Sequence, residues 1–402
     1  FVFIFSYVGL PAEFAMGRRA ATGTLGAYEN AWATRGRSAG KAGGLLGWLP
    51  LAGSMCIAIG YAVIVTYILK ALADSLLGTL MTADTAAWFG AFSGTPYSVI
   101  PYHIVVVVGT LLTLFLGAHS IEKTNKVMMP LFFLIFLVLA VRVALLPNAA
   151  EGYLFMFTPR WEALTDPMIW IWAMGQAFFS LSIGIGTMVT YASYFKPDTN
   201  LRHTALNVTI LDTLVAILAG VVIFPAVFSV GIEPSSGPSL VFITLPSIFN
   251  GMPLSMVWSS IFFLLLVVAA LTSTISLHEV VTVYLHEEWH LSRKAAAWLT
   301  TAATAALASL ASLSLGALGS WKIAGLSLFD SLDFLTANIL LPAGGLFTCI
   351  FVGWKLDHHI LKAQITNDGE LKFRIYGLFS FLLRYVCPAV LLLIFLDNLG
   401  VF

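Results

Sequence analysis

The chain has 402 residues, of which 59% are hydrophobic and only 10% charged, against about 25% charged in a soluble domain. Twenty Lys and Arg balance twenty Asp and Glu, which excludes the basic excess of a nucleic-acid-binding protein and the high net charge of a disordered chain. Mean hydropathy is +0.92. Apolar runs of about 20 residues recur along the whole length, so the chain is expected to form one membrane domain embedded in a bilayer. Cys56, Cys349 and Cys387 all lie inside apolar runs, and no disulfide framework is expected.

The first residue is Phe, and residues 1–16 are already apolar. A signal peptide would show a basic n-region and a cleavage site. Neither is present, and a chain cut just before or inside a membrane span is the expectation. Further runs able to cross about 30 Å of hydrocarbon follow at 46–74, 99–117, 127–146, 168–195, 205–230, 254–285, 295–314, 330–354 and 374–398. That makes ten spans. The loops at 75–98, 147–167 and 231–253 are long and rich in Gly, Pro and aromatic residues, a composition suited to gates or lids.

Loop charge supports this order. If the loop after the first span is cytoplasmic, inside loops hold fifteen cations, running from Arg18 and Arg19 through Lys123, Lys196 and Arg293 to Lys355, Lys362, Lys372 and Arg374. Outside loops hold only Arg160 and Lys322. This is the positive-inside pattern, and it puts the C-terminus outside.

The fifth span breaks helix preference in its middle, at Ser180–Leu181–Ser182–Ile183–Gly184–Ile185–Gly186. Two glycines one residue apart cost about 2 kcal/mol of helix propensity. Backbone unwound at membrane depth must line a cavity or be covered by protein, and it then offers carbonyls to cations and helix N-termini to carboxylates. The alternative is a Gly/Ser face for close helix packing. Asp212 sits deep in the next span, where a carboxylate marks an ion path, unless it lies near the cytoplasmic water. Thr272–Ser273–Thr274 in the seventh span supplies hard oxygen ligands for an alkali cation, or hydroxyls bonded back to their own helix.

His286–Glu287–Glu288–Trp289–His290 matches the HExxH pattern of zinc proteases, with Glu287 as base. On a continuous helix Glu279 is two turns away, about 10 Å, and supplies no third ligand. Asp357, His358 and His359 lie in the last inside loop with nothing to bring them close. The competing assignment is a solvated helix end.

The stretches GLPAEFAMGRR (9–19), GQAFFSLSIGIGTMVTYASY (175–194), GPSLVFITLPSIF (237–249) and ALTSTISL (270–277) together resemble the neurotransmitter:sodium symporter family of amino-acid transporters, in order and along the whole chain. The resemblance implies an all-α inverted-repeat fold in which two five-helix units cross the membrane in opposite senses. It aligns the chain with the family's second to eleventh helices. The discontinuous first helix is expected to be missing, and without it the chain as written is not expected to transport.

Carried over by that resemblance, Tyr61 meets the substrate carboxylate and Phe179 closes over it. Ile57, Ser182, Gly184, Ile185, Thr274 and Leu277 line the pocket. Ser180 and Asp212 belong to a first sodium site. The Ala269 carbonyl, Thr272 and Ser273 belong to a second. Asp333 is the acid of an outer gate and Glu287 that of a cytoplasmic gate. The expected function is sodium-coupled symport of neutral or hydrophobic amino acids in a bacterial inner membrane, with two sodium ions and no organic cofactor. The alternatives are a proton-coupled carrier on the same fold, with Asp212 titrating, and an intramembrane zinc protease using His286 and His290.

Overall fold

The computed structural model describes residues 1–115, 117–231 and 237–401; residues 232–236 of the third long loop lie outside it. Each of the ten apolar runs is helical. In chain order the helices are α1 (Val2–Ala20), α2 (Thr24–Ala33), α3 (Arg37–Leu46), α4 (Trp48–Leu76), α5 (Thr85–Gly94), α6 (Ile100–Leu114), α7 (Ala118–Ala144) and α8 (Ala149–Phe157). The fifth span is split into α9 (Pro167–Ser180) and α10 (Thr187–Ala192). Then come α11 (Leu201–Phe228), α12 (Leu245–Asn250), α13 (Ser255–Glu288), α14 (Arg293–Leu313), α15 (Leu328–Phe334), α16 (Leu341–Ile350), α17 (His358–Thr366), α18 (Tyr376–Phe381) and α19 (Cys387–Asn398).

Among the described residues, seven helical runs are long and apolar enough to cross a membrane by length and composition. The other three expected spans fall short for separate reasons. Helix α1 carries Glu13, Arg18 and Arg19. Helix α6 has 15 residues, about 22 Å at 1.5 Å per residue. The fifth span is interrupted.

Proline placement shapes the last spans. Wide π-type turns at Leu335–Leu340 and Leu382–Val386 lead straight into Leu341–Pro342 and Cys387–Pro388. A proline lacks the N–H that would bond four residues back, and its ring crowds that carbonyl. The π turn absorbs the mismatch without ending the rod, so Leu328–Lys355 and Tyr376–Asn398 remain spans.

Burial sorts the helices. In α13, 56% of the apolar window is covered by protein, against 22% in α11 and 28% in α7; α13 is therefore central, and α7 and α11 face lipid. One apolar cluster joins α1, α9, α10 and the last two spans through Phe14, Phe178, Val189 and Leu391. A second joins α4, α7, α11 and α13 to the loop segments at 75–98 and 231–253 through Tyr67, Phe92, Phe242 and Phe263. The Phe89 and Phe242 rings stack at 5.3 Å and 7°. Asp74 Oδ2 accepts from Trp88 Nε1 at 2.7 Å and pairs with Lys70 Nζ at 2.7 Å. Two of the three long loops are thus anchored onto the bundle.

Candidate substrate and cation site

The helix of the fifth span ends at Ser180 and resumes at Thr187, where the glycine pair predicts a break. Ser182, Gly184 and Gly186 take positive φ angles of 54°, 89° and 79°. Gly184 is required twice over: by its φ, and because a Cβ there would lie 2.4 Å from the Gly345 backbone nitrogen of α16.

Unwinding frees polar backbone groups that hydrocarbon cannot satisfy, and three side chains take them up. Gly184 N–H donates to Glu13 Oε1 at 2.8 Å. The Ser54 hydroxyl donates to the Ile185 carbonyl. The Thr24 hydroxyl donates to the Gly186 carbonyl at 3.1 Å. Glu13 is fully buried on α1. None of the three is among the site residues that the family resemblance implies. The legible signal was an acid in the middle of an apolar helix; nothing distinguished Ser54 or Thr24.

Beside the break lies a cavity of about 420 Å³. Ile57, Tyr61, Phe179, Ser182, Ile185 and Leu277 line it, as does Ser180. Thr272 and Ser273 form part of the facing wall on α13. Two expected lining residues are not on the wall. Gly184 turns its backbone toward Glu13, and the Thr274 hydroxyl is buried and bonded back to the Ala270 carbonyl at 2.8 Å. Residues not anticipated from sequence also line the cavity, among them Asn125 and Met129 of α7, Met188, and Tyr191, whose hydroxyl donates to Ser276 at 2.8 Å. Their positions depend on how α7 and α10 pack, which no local motif records.

The oxygen groups expected to hold cations form two clusters. The Ser180 hydroxyl bonds both carboxylate oxygens of Asp212, at 2.9 and 2.7 Å. The Thr272 hydroxyl donates to the Ala269 carbonyl at 2.8 Å. The back-bonding anticipated for the hydroxyl run is therefore present at Thr272 and Thr274. A hydroxyl that donates in this way still presents acceptor lone pairs.

At the C-terminal end of α13, Glu287 Oε2 accepts from Gly23 N–H at 2.8 Å. Glu279 is almost fully buried and forms an ion pair with Arg293 while accepting a hydrogen bond from the Tyr194 hydroxyl. Arg293 Nε also donates to the Leu114 carbonyl at 3.2 Å. This links the resumed half of the fifth span to α6, α13 and α14. Asp333 is exposed on α15, and none of the three ion pairs among the described residues includes it.

The zinc arrangement fails on geometry. Helix α13 ends at Glu288, and His290 lies beyond it with φ 52°, so the two histidines do not share a helical face. His286 Nδ1 is engaged with the Leu291 carbonyl at 2.7 Å. Among the described residues no three His, Cys, Asp or Glu side chains gather as a metal site.

Comparison with known proteins agrees with this architecture. The profile of the "Sodium:neurotransmitter symporter family" matches residues 92–402. The chain is 32% identical over 406 residues to the sodium-dependent transporter YhdH of Bacillus subtilis, covering 100% of this chain and 88% of the relative. It is also 32% identical to a sodium-dependent transporter of Haemophilus influenzae, over 98% of this chain and 88% of the relative. The crystal structure of MhsT in complex with L-phenylalanine superposes with a TM-score of 0.86 at 35% identity, covering 98% of this chain and 89% of that one. These similar proteins are transporters, not enzymes, and nothing among them supports a protease. The chain is a multi-pass membrane protein with the leucine-transporter-type fold, and it belongs to the sodium:neurotransmitter symporter family.

Proposed function

We propose that the protein is a sodium-coupled symporter of neutral, mainly apolar amino acids, working by alternating access in a bacterial inner membrane with its C-terminus outside. The observation that carries this reading is the cavity of about 420 Å³ at the break of the fifth span, with Tyr61 and the Thr272–Ser273 pair on its wall. Its apolar lining of Ile57, Phe179, Ile185 and Leu277 suits an uncharged side chain, and the complex of the similar MhsT with L-phenylalanine supports an amino-acid substrate.

In this reading Tyr61 donates to the substrate carboxylate and Phe179 closes over the side chain. Ser180 and Asp212 contribute to one sodium site; the Ala269 carbonyl, Thr272 and Ser273 contribute to the other. Asp333 serves the outer gate and Glu287 the inner one. Sodium and substrate drive the cycle by binding the two end states with different affinities, since equal affinity for both shifts nothing.

The test is uptake of radiolabelled neutral amino acids by the full-length protein in proteoliposomes. An inward sodium gradient should drive accumulation, and replacing sodium by potassium should abolish it. Accumulation that follows a proton gradient in sodium-free buffer would overturn the ion assignment.

A further inference from the structure

We propose that the corner where the α2–α3 loop and the end of the Leu328–Lys355 span meet the Arg384 turn of the last span binds an anionic phospholipid of the adjacent leaflet. Three cations converge there on one short stretch of backbone, Gly353–Lys355. From one side Arg384 Nε donates to the Gly353 carbonyl at 2.6 Å. The arginine stem lies directly on that glycine, where a Cβ would come within 3.2 Å of Arg384 Cγ. From the other side Arg35 Nε donates to the Lys355 carbonyl at 3.0 Å. Lys355 Nζ itself stands 5.5 Å over the Trp32 ring.

Backbone carbonyls, not carboxylates, hold these cations together. None of the three ion pairs among the described residues includes Arg35, Lys355 or Arg384. The nearby acid Asp357 caps α17, its Oδ1 accepting from His359 N–H at 2.8 Å. Among the described residues the two terminal nitrogens of Arg384 donate to no protein group. A guanidinium pinned through Nε with its fork free is preorganised for two-point binding of a phosphate. The positive charges of Lys355 and Arg35 on the same backbone stretch would add to the attraction for an anion.

The surroundings favour a lipid as the source of that phosphate. Trp354 Nε1 donates to the Arg384 carbonyl at 3.1 Å, and the Trp354 and Tyr385 rings meet edge to face at 5.4 Å. Trp354, Tyr385 and Phe381 are each about half exposed, on the same outward surface. Aromatic residues with a polar edge mark the level of lipid headgroups, and basic pockets between spans on the cytoplasmic side take anionic headgroups. The lipid phosphate would lie on the free fork of Arg384, with Lys355 and Arg35 adding positive charge along the same backbone stretch and an acyl chain running past Tyr385.

The cytoplasmic placement rests on the orientation proposed above, but binding itself can be measured without it. The experiment adds phosphatidylglycerol or phosphatidylcholine to the full-length protein in detergent, and reads lipid retention by native mass spectrometry and the thermal unfolding midpoint. Phosphatidylglycerol should be retained selectively and should raise the midpoint. Lys355→Gln and Arg384→Gln should each weaken it about fivefold, and together about thirtyfold, at about 1 kcal/mol per cation. Lys322→Gln, just before α15 at the opposite end of the span that finishes in Lys355, should change nothing. Equal retention of the two lipids, or wild-type affinity in the double variant, overturns the proposal. So does equal stabilisation by inorganic phosphate, since no acyl contact would then be needed. If the Arg384 variant does not fold, Lys355→Gln and the wild-type lipid preference decide the matter.

Discussion

The Ser180 hydroxyl sits against both carboxylate oxygens of Asp212, at 2.7 and 2.9 Å, although 32 residues separate them. Ser180 is the last helical residue before the break, and Asp212 projects from α11. A hydroxyl and a carboxylate supply hard oxygen donors suited to an alkali cation. Replacing Asp212 by Asn keeps the shape and removes the charge. Sodium affinity of the full-length protein should fall at least tenfold, from about 1.4 kcal/mol of lost charge interaction. Sodium-dependent binding of labelled substrate checks this, and unchanged sodium dependence would remove Asp212 from the site.

The same carboxylate bears on chloride. In the proposed scheme two bound sodium ions would bring two positive charges into a low-dielectric region, and a fixed anion would offset part of their cost. Asp212 would then supply that charge from within the chain. Uptake should therefore persist when chloride is replaced by gluconate, and Asp212→Asn should introduce stimulation by chloride. Collapse of wild-type uptake in gluconate would show that Asp212 does not play this role.

Thr272→Val removes one oxygen while keeping the branched shape. Its hydroxyl now donates to the Ala269 carbonyl, so the loss falls on both expected sodium ligands. Sodium-driven uptake should disappear at normal expression. Wild-type sodium dependence in the variant would mean that the hydroxyl serves only its back-bond to the Ala269 carbonyl.

Tyr61→Phe removes a single hydroxyl from the cavity wall. A lost hydrogen bond to a charged group is worth about 1.5–3 kcal/mol, so amino-acid affinity should fall about ten- to a hundredfold. Scintillation proximity binding measures it directly. Equal affinity in the two proteins would count against the carboxylate pose.

The Glu279–Arg293 pair makes a prediction about stability. Glu279 is buried, and Arg293 is largely so. Glu279→Gln leaves the guanidinium without its counter-charge, and breaking a buried pair from one side costs about 3–5 kcal/mol. The unfolding midpoint in detergent should drop by several degrees. Tyr194→Phe, which leaves the ion pair intact, should have a much smaller effect. Equal midpoints for Glu279→Gln and wild type would mean that water already solvates the pair.

How much of the site was legible can be followed residue by residue. The Ser180–Gly186 break was visible because two glycines in an apolar run contradict a continuous helix, and the structure unwinds there. Asp212 stood out because its charge lies inside an apolar stretch. Ser54 and Thr24 are ordinary residues in sequence, and they matter only because folding carries them to the freed carbonyls of Ile185 and Gly186. His286 and His290 show the reverse error. Their spacing fits a helical metal site, but the helix stops at Glu288.

The sequence by itself determined the class of protein, the succession of spans and the point where one of them breaks. Hydrophobicity, loop charge and glycine content act locally and in chain order, so they can be read without contacts. Tertiary structure alone decided which side chains satisfy the unwound backbone, which of the expected residues reach the cavity, and that Glu279 is committed to Arg293. Those outcomes depend on distances between helices far apart in sequence, and hydrocarbon, which leaves no buried polar group to water, makes each of them consequential.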